Sequence, residues 1–176
     1  MRSKATMILL RVTTVAATIA AAETSASAQV ALTFHCPGLA NVETRVGTSL
    51  ITTSSEFFVV IPDTTISFVQ HGTSPGCAIV SYSADAFGGS QFGKNPTVVR
   101  PILDSSPSAV PNPATLTEDD DEDADGLSFR AHSIDFVFSD VEPGTHTISM
   151  QWKRTQDNNA SAFISQRART ITVTHR

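Results

Sequence analysis

Thr145-His146-Thr147-Ile148-Ser149-Met150-Gln151-Trp152-Lys153 alternates along its length. Ile148, Met150 and Trp152 fall on one side, with Thr147, Ser149, Gln151 and Lys153 on the other. A period of two is that of a β-strand with one buried and one wet face. Upstream, Ile134, Phe136 and Phe138 repeat the pattern, facing away from Asp135 and Ser139. Half-buried strands of this kind belong to antiparallel sheets.

Working outward, no helical periodicity interrupts this texture after the N-terminal segment. Val, Ile, Thr, Phe and Ser dominate, and turn clusters recur every 8–15 residues, the pattern of an all-β chain. Strands are predicted at Val30–Cys36, Asn41–Thr52, Glu56–Ile61, Thr65–His71, Cys77–Ala84, Thr97–Leu103, Leu127–Ser139, Thr145–Arg154 and Ala162–His175. Pro62-Asp63 and Glu142-Pro143-Gly144 mark turns between them. Phe57-Phe58-Val59-Val60-Ile61 is apolar on both faces and predicts a central strand, or one covered by loops. Phe129 and Ala131 have the opposite parity to Ile134 and Phe136, which predicts a bulge or bend near His132-Ser133.

Nine short strands fit two packed sheets: a two-sheet antiparallel β-sandwich, jelly-roll-like, preceded by a signal peptide. Gly88-Gly89 to Pro96 is expected to be a loop. Residues 105–126 hold Pro107, Pro111, Pro113 and an acidic run, and form a connection long enough to be either functional or mobile. Splitting the chain there would leave neither half with enough strands for a core. One domain over 29–176 is expected.

Residues 1–28 have the character of an export signal. Arg2, Lys4 and Arg11 form a basic start, Val12–Ala22 is apolar apart from three threonines, and Ala26-Ser27-Ala28 is an A-x-A site. Cleavage is expected after Ala28, which places the product in the periplasm or outside the cell. An eleven-residue apolar core is too short to span a bilayer, so no stable membrane insertion is expected. The Ala-rich core and A-x-A ending have a bacterial character. Asn159-Ala160-Ser161 is an N-glycosylation sequon that matters only in a eukaryotic host.

Charge follows the same division. The 176 residues carry 12 basic and 17 acidic side chains, a net of −5. Without 1–28, which holds three basic residues and one acid, nine basic face sixteen acidic residues. Seven of those acids lie in Glu118–Asp125, EDDDEDAD. The remainder balances at nine against nine. A chain without a Lys/Arg surplus is not expected to bind nucleic acid.

Cys36 and Cys77 are the only cysteines. An even count in an exported chain predicts one disulfide, and the spacing fits no zinc pattern. Each lies beside a Pro-Gly turn signal, so a staple between strand ends is expected.

Two explanations compete for the acidic run. Asp121-Glu122-Asp123-Ala124-Asp125-Gly126 matches D-x-D-x-D-G, in which alternate carboxylates (Asp121, Asp123, Asp125) converge on Ca2+. His132 stands where an EF-hand needs its bidentate Glu, and flanking helices are lacking, so the likeness stops at six residues. The plainer explanation is a solvated acidic loop, since runs of like charge repel.

No catalytic residue is expected. Gly72-Thr73-Ser74-Pro75-Gly76 fits G-x-S-x-G, but Pro75 removes the N–H that an oxyanion hole would use, and a strand follows instead of a helix. His35, His71, His132, His146 and His175 show no metal-ligand spacing and fall at strand ends.

Val141-Glu142-Pro143-Gly144-Thr145 through Trp152 resembles a turn-and-strand of exported bacterial and phage-associated β-sandwich or jelly-roll domains. Arg130–Phe138 is similar to the preceding strand in uncharacterised secreted bacterial proteins. The resemblance covers about 45 C-terminal residues, with a looser match around Cys77. It implies an extracytoplasmic jelly-roll-like domain and carries no functional residue. The chain is therefore expected to be an exported, non-enzymatic binding, surface-interaction or structural module, its ligand a surface protein or glycan, with no required cofactor. A calcium-assisted carbohydrate-binding module is the alternative, and a secreted hydrolase a more distant one. Trp152 and Tyr82 are the sole Trp and Tyr for sugar stacking, and Trp152 lies on the apolar face.

Overall fold

The computed structural model describes residues 35–89, 96–117, 129–155 and 163–176. They form ten strands: β1 (Asn41–Gly47), β2 (Ile51–Thr53), β3 (Val59–Val60), β4 (Ile66–Gln70), β5 (Gly76–Gly89), β6 (Thr97–Leu103), β7 (Ala114–Thr117), β8 (Arg130–Val141), β9 (Gly144–Arg154) and β10 (Phe163–His175). Sheet A runs β1-β10-β5-β8, with β2 also on β10; sheet B runs β3-β9-β6-β7, with β4 also on β9. All pairings are antiparallel. Taking β1 with β2, and β3 with β4, as interrupted single strands leaves eight. Their order is then the two-Greek-key weave of a jelly roll.

Alternation builds the core. Ile148, Met150 and Trp152 of β9 pack inward with Val99 of β6 and Phe68 of β4. They meet Val80 and Tyr82 of β5, Phe136 and Phe138 of β8, and Ile164, Ile171 and Val173 of β10. Trp152 and Tyr82 are both core residues, as the parity of Trp152 predicts.

β10 changes parity midway. Two residues, Ala168 and Arg169, stand opposite Ala84 alone, between the pairs Arg167↔Asp85 and Thr170↔Ser83. Ala168 takes φ 47°. Such a bulge re-aims the following side chains: Ile164 and Gln166 point inward before it, and Arg169, Ile171, Val173 and His175 after it. Arg169 is thereby buried. It donates through Nη1 to the carbonyl of Ser49 at 2.7 Å and lies 3.6 Å from Asp63. Beside it, the Tyr82 hydroxyl donates to Gln166 Oε1 at 2.6 Å. Burial pushes the Tyr82 pKa well up, against the opposing Arg169 charge and the Gln166 bond, so this phenol stays protonated.

Several expectations need correction. Asn41–Thr52 is two strands, not one, interrupted after Gly47. An alanine Cβ at Gly47 would stand 2.6 Å from Arg169 Nη2, so the chain passes closely beneath that guanidinium. Phe57–Ile61 is no central strand: only Val59 and Val60 pair, at an edge, and Phe57 is 82% exposed. No bulge interrupts β8 at His132-Ser133, since its register with β5 runs unbroken from Ala86↔Arg130 to Ala78↔Phe138. Phe129 instead lies beneath the guanidinium of Arg167, 4.3 Å from the ring centroid. β5 extends through Gly88-Gly89, where a loop is expected. β7 forms within the Pro-rich connection. The predicted strand Val30–Cys36 falls largely outside the described residues, and His35 and Cys36 are not in a strand.

Cys36 and Cys77 form the disulfide, Cα to Cα 5.4 Å apart. It ties the segment before β1 to the start of β5. The compact unit comprises Thr33–Arg176, and no helix among the described residues is long and apolar enough to cross a membrane.

Candidate functional site

The polar side of β9 lies on the outer face of sheet B. Register aligns its neighbours: Gln151 stands opposite Val60 on one flank and Arg100 on the other, and Ser149 stands opposite Ile102. Directly paired residues project to the same face, so Val60, Gln151 and Arg100 form one row across three strands. Ser149 and Ile102 form part of the next, and Thr147 follows. Asp104, Ser105 and Pro107 wall the far end. Together these residues line an open concavity of about 370 Å³, at the small end of the ~300–1,000 Å³ typical of ligand sites.

The wall is a tight turn. Leu103 and Ser106 exchange backbone hydrogen bonds of 2.9 and 2.7 Å. The two residues between them, Asp104 and Ser105, take φ 47° and 78°, as a type I′ turn requires. A short polar residue such as Asp tolerates that region best. The Asp104 carboxylate accepts from Thr147 N at 2.8 Å through Oδ1 and meets His146 Nδ1 at 2.5 Å through Oδ2. The other ring nitrogen of His146 lies 2.7 Å from the Glu142 carbonyl. With an acceptor on each nitrogen, only the doubly protonated ring satisfies both. Partial burial works against that charge, but the Asp104 hydrogen bond, the Glu142 carbonyl and the Asp104 charge outweigh it and raise the His146 pKa. The Asp104 carboxyl moves the other way: its desolvation is outweighed by the His146 and Thr147 bonds and the imidazolium charge, and its pKa falls.

The opposite end is cationic. Arg100 Nε donates to Gln151 Oε1 at 3.0 Å, and the guanidinium lies 3.9 Å from the ring centroid of Phe58, with Lys153 Nζ at 5.1 Å from the same ring. Partial burial lowers the Arg100 pKa; a guanidinium nevertheless keeps its proton. Gln151 and Phe58 thus orient a cation whose terminal Nη groups have no hydrogen-bond partner among the described residues.

Two of the five histidines share one aromatic neighbour. His146 of β9 and His175 of β10 both stack on Phe68 of β4, at 5.5 and 4.7 Å between centroids. No group of three or more metal-ligating side chains occurs among the described residues. Ser74 lies in the β4–β5 turn, where its carbonyl accepts from Arg176 Nη2 at 2.6 Å; β5 follows where a hydrolase elbow has a helix. Asp121, Asp123 and Asp125 lie outside the described residues, as does Asn159.

Arg100, Phe58 and Asp104 are absent from the sequence-derived candidates. The parity of Arg100 with Ile102 is legible in the chain. The register that sets Arg100 beside Gln151, 51 positions away, is not. Compared with known proteins, the chain matches no family model and no curated protein.

Proposed function

We propose that this protein is an exported, non-catalytic jelly-roll module that binds a surface ligand through the outer face of sheet B. The oriented guanidinium of Arg100, whose Nη groups have no hydrogen-bond partner among the described residues, carries this proposal. Binding through a rigid sheet needs a polar group held in place before the ligand arrives, and Gln151 and Phe58 hold Arg100 in that way. Ser149, Thr147 and Gln151 add neutral donors and acceptors, and Val60, Ile102 and Pro107 add apolar area. The Cys36–Cys77 disulfide is of the kind that persists in an oxidising compartment, which supports export. A calcium-assisted carbohydrate module has less support: the sole Trp and Tyr are buried, and Phe57 is the one largely exposed Phe among the described residues.

Probing a glycan array and immobilised envelope proteins with the wild-type protein and Arg100→Ala tests this. A charge-assisted hydrogen bond is worth about 1.5–3 kcal/mol. The variant is therefore expected to bind at least roughly tenfold more weakly, with its melting temperature nearly unchanged. A ligand held equally by both proteins would place binding elsewhere.

A further inference from the structure

We propose that two copies of this chain pair edge to edge through β1, antiparallel about Thr44, joining their A sheets into one continuous sheet. β1 ends sheet A and pairs only with β10 among the described residues. Val42 through Val46 are all exposed, a run of five in a seven-residue strand. Two of them are apolar: Val42 and Val46 are each 59% exposed. β1 overhangs the sandwich, because Glu43 and Arg45 stand exposed beside the buried Val173 and Ile171. An edge strand of this kind presents a free row of N–H and C=O groups to another chain.

The strand is complementary to itself. Paired antiparallel with Thr44 on the twofold axis, Val42 faces Val46 of the second copy, and Glu43 faces Arg45. Symmetry supplies each pair twice, as an isologous interface demands. Glu43 and Arg45 lie on the inner face, and Val42, Thr44 and Val46 on the outer, so ion pairs and apolar pairs segregate to opposite faces. Neighbouring registers lose this match: an axis through Glu43 or Arg45 sets like charges directly opposite, which is destabilising. A one-residue slip mixes the faces. Inward charges on an edge strand ordinarily deter pairing by demanding burial of an unmatched charge; here the second copy supplies the match. Arg45 spends one Nη on the Thr65 carbonyl, at 2.9 Å, and a guanidinium has further donors.

The other edges are less suited. β8 is bridged by Val110, whose backbone exchanges two 2.9 Å bonds with Val137. β7 has four residues, and the β3–β4 edge is broken between Val60 and Ile66.

Sedimentation velocity across a concentration series tests the pairing, with hydrogen–deuterium exchange alongside. The wild type is expected to show a monomer–dimer equilibrium, with β1 amides protected as concentration rises. Glu43→Arg sets Arg against Arg and is expected to weaken the dimer at least roughly tenfold. The swap Glu43→Arg/Arg45→Glu is expected to restore it. A wild type that stays monomeric, a dimer indifferent to Glu43→Arg, or a folded double variant that remains monomeric would each overturn the proposal. Exchange on the wild type alone decides the location should a variant misfold: a dimer that leaves β1 unprotected uses another surface.

Discussion

His146 links the groove wall to solution pH. Its raised pKa means that the folded protein holds the imidazole proton more tightly than the unfolded chain. That contribution is fully present below the ordinary value of 6.5 and is lost as pH rises through the folded-state pKa. Asp104 bounds the acid side: its depressed pKa adds stability above the ordinary 3.8, which is lost as pH falls through the folded value. The Asp104 side chain is 46% exposed, so screening limits the pair to about 1 kcal/mol or less. His146→Gln is therefore expected to lower the melting temperature by a few degrees at about pH 5, and the gap from wild type should narrow towards pH 9. A gap independent of pH would show that His146 acts by packing on Phe68 rather than by charge.

At the level of elements, alternation was the most legible signal. Thr97–Leu103 is a strand with those very bounds, and β4, β9 and β10 differ from expectation by a residue or so at their ends. Errors fell where local pattern and tertiary demand part. Phe57–Ile61 looked central by composition, yet Phe58 is spent as a platform for Arg100 and Lys153 on the outer face. Four residues of β7 among prolines offer too short a period to stand out. The glycine at the end of β1 answers to a residue far along the chain: the β10 bulge turns Arg169 inward, and that side chain lies where a Cβ on residue 47 would go. The guanidinium is almost fully buried and anchored to Ser49, so it has little room to yield. Gly47→Ala is expected to cost about 1–3 kcal/mol, measurable as a lower urea midpoint. A neutral result would mean that the Arg169 pocket is looser than its burial implies.

Across the whole molecule, the architecture and the disulfide were written in the chain more plainly than the groove. The cysteines pair as their count and flanking turns imply, whereas the groove depends on register between distant segments. The disulfide closes a loop of 42 residues, since its ends are 41 apart. Cross-linking a loop of that length is worth about 4 kcal/mol on the chain-entropy account. Cys36→Ser/Cys77→Ser is expected to lower unfolding stability by about 2–4 kcal/mol while leaving the sheet structure intact by circular dichroism. An unchanged midpoint would mean that the tether closes no entropy-costly loop.

The weave of the two sheets has a consequence for how such a chain is made. β9 joins β3 and β4 to β6, and β10 joins β1 and β2 to β5. Neither sheet has its middle before residues 144–175 are available. A ribosome delivering this polypeptide from its N-terminus releases pieces that lack the strands needed to consolidate them. Long-range pairing of this kind is intrinsically slow to form. On the export proposed above, that delay is an advantage, because premature folding would jam a narrow translocation pore.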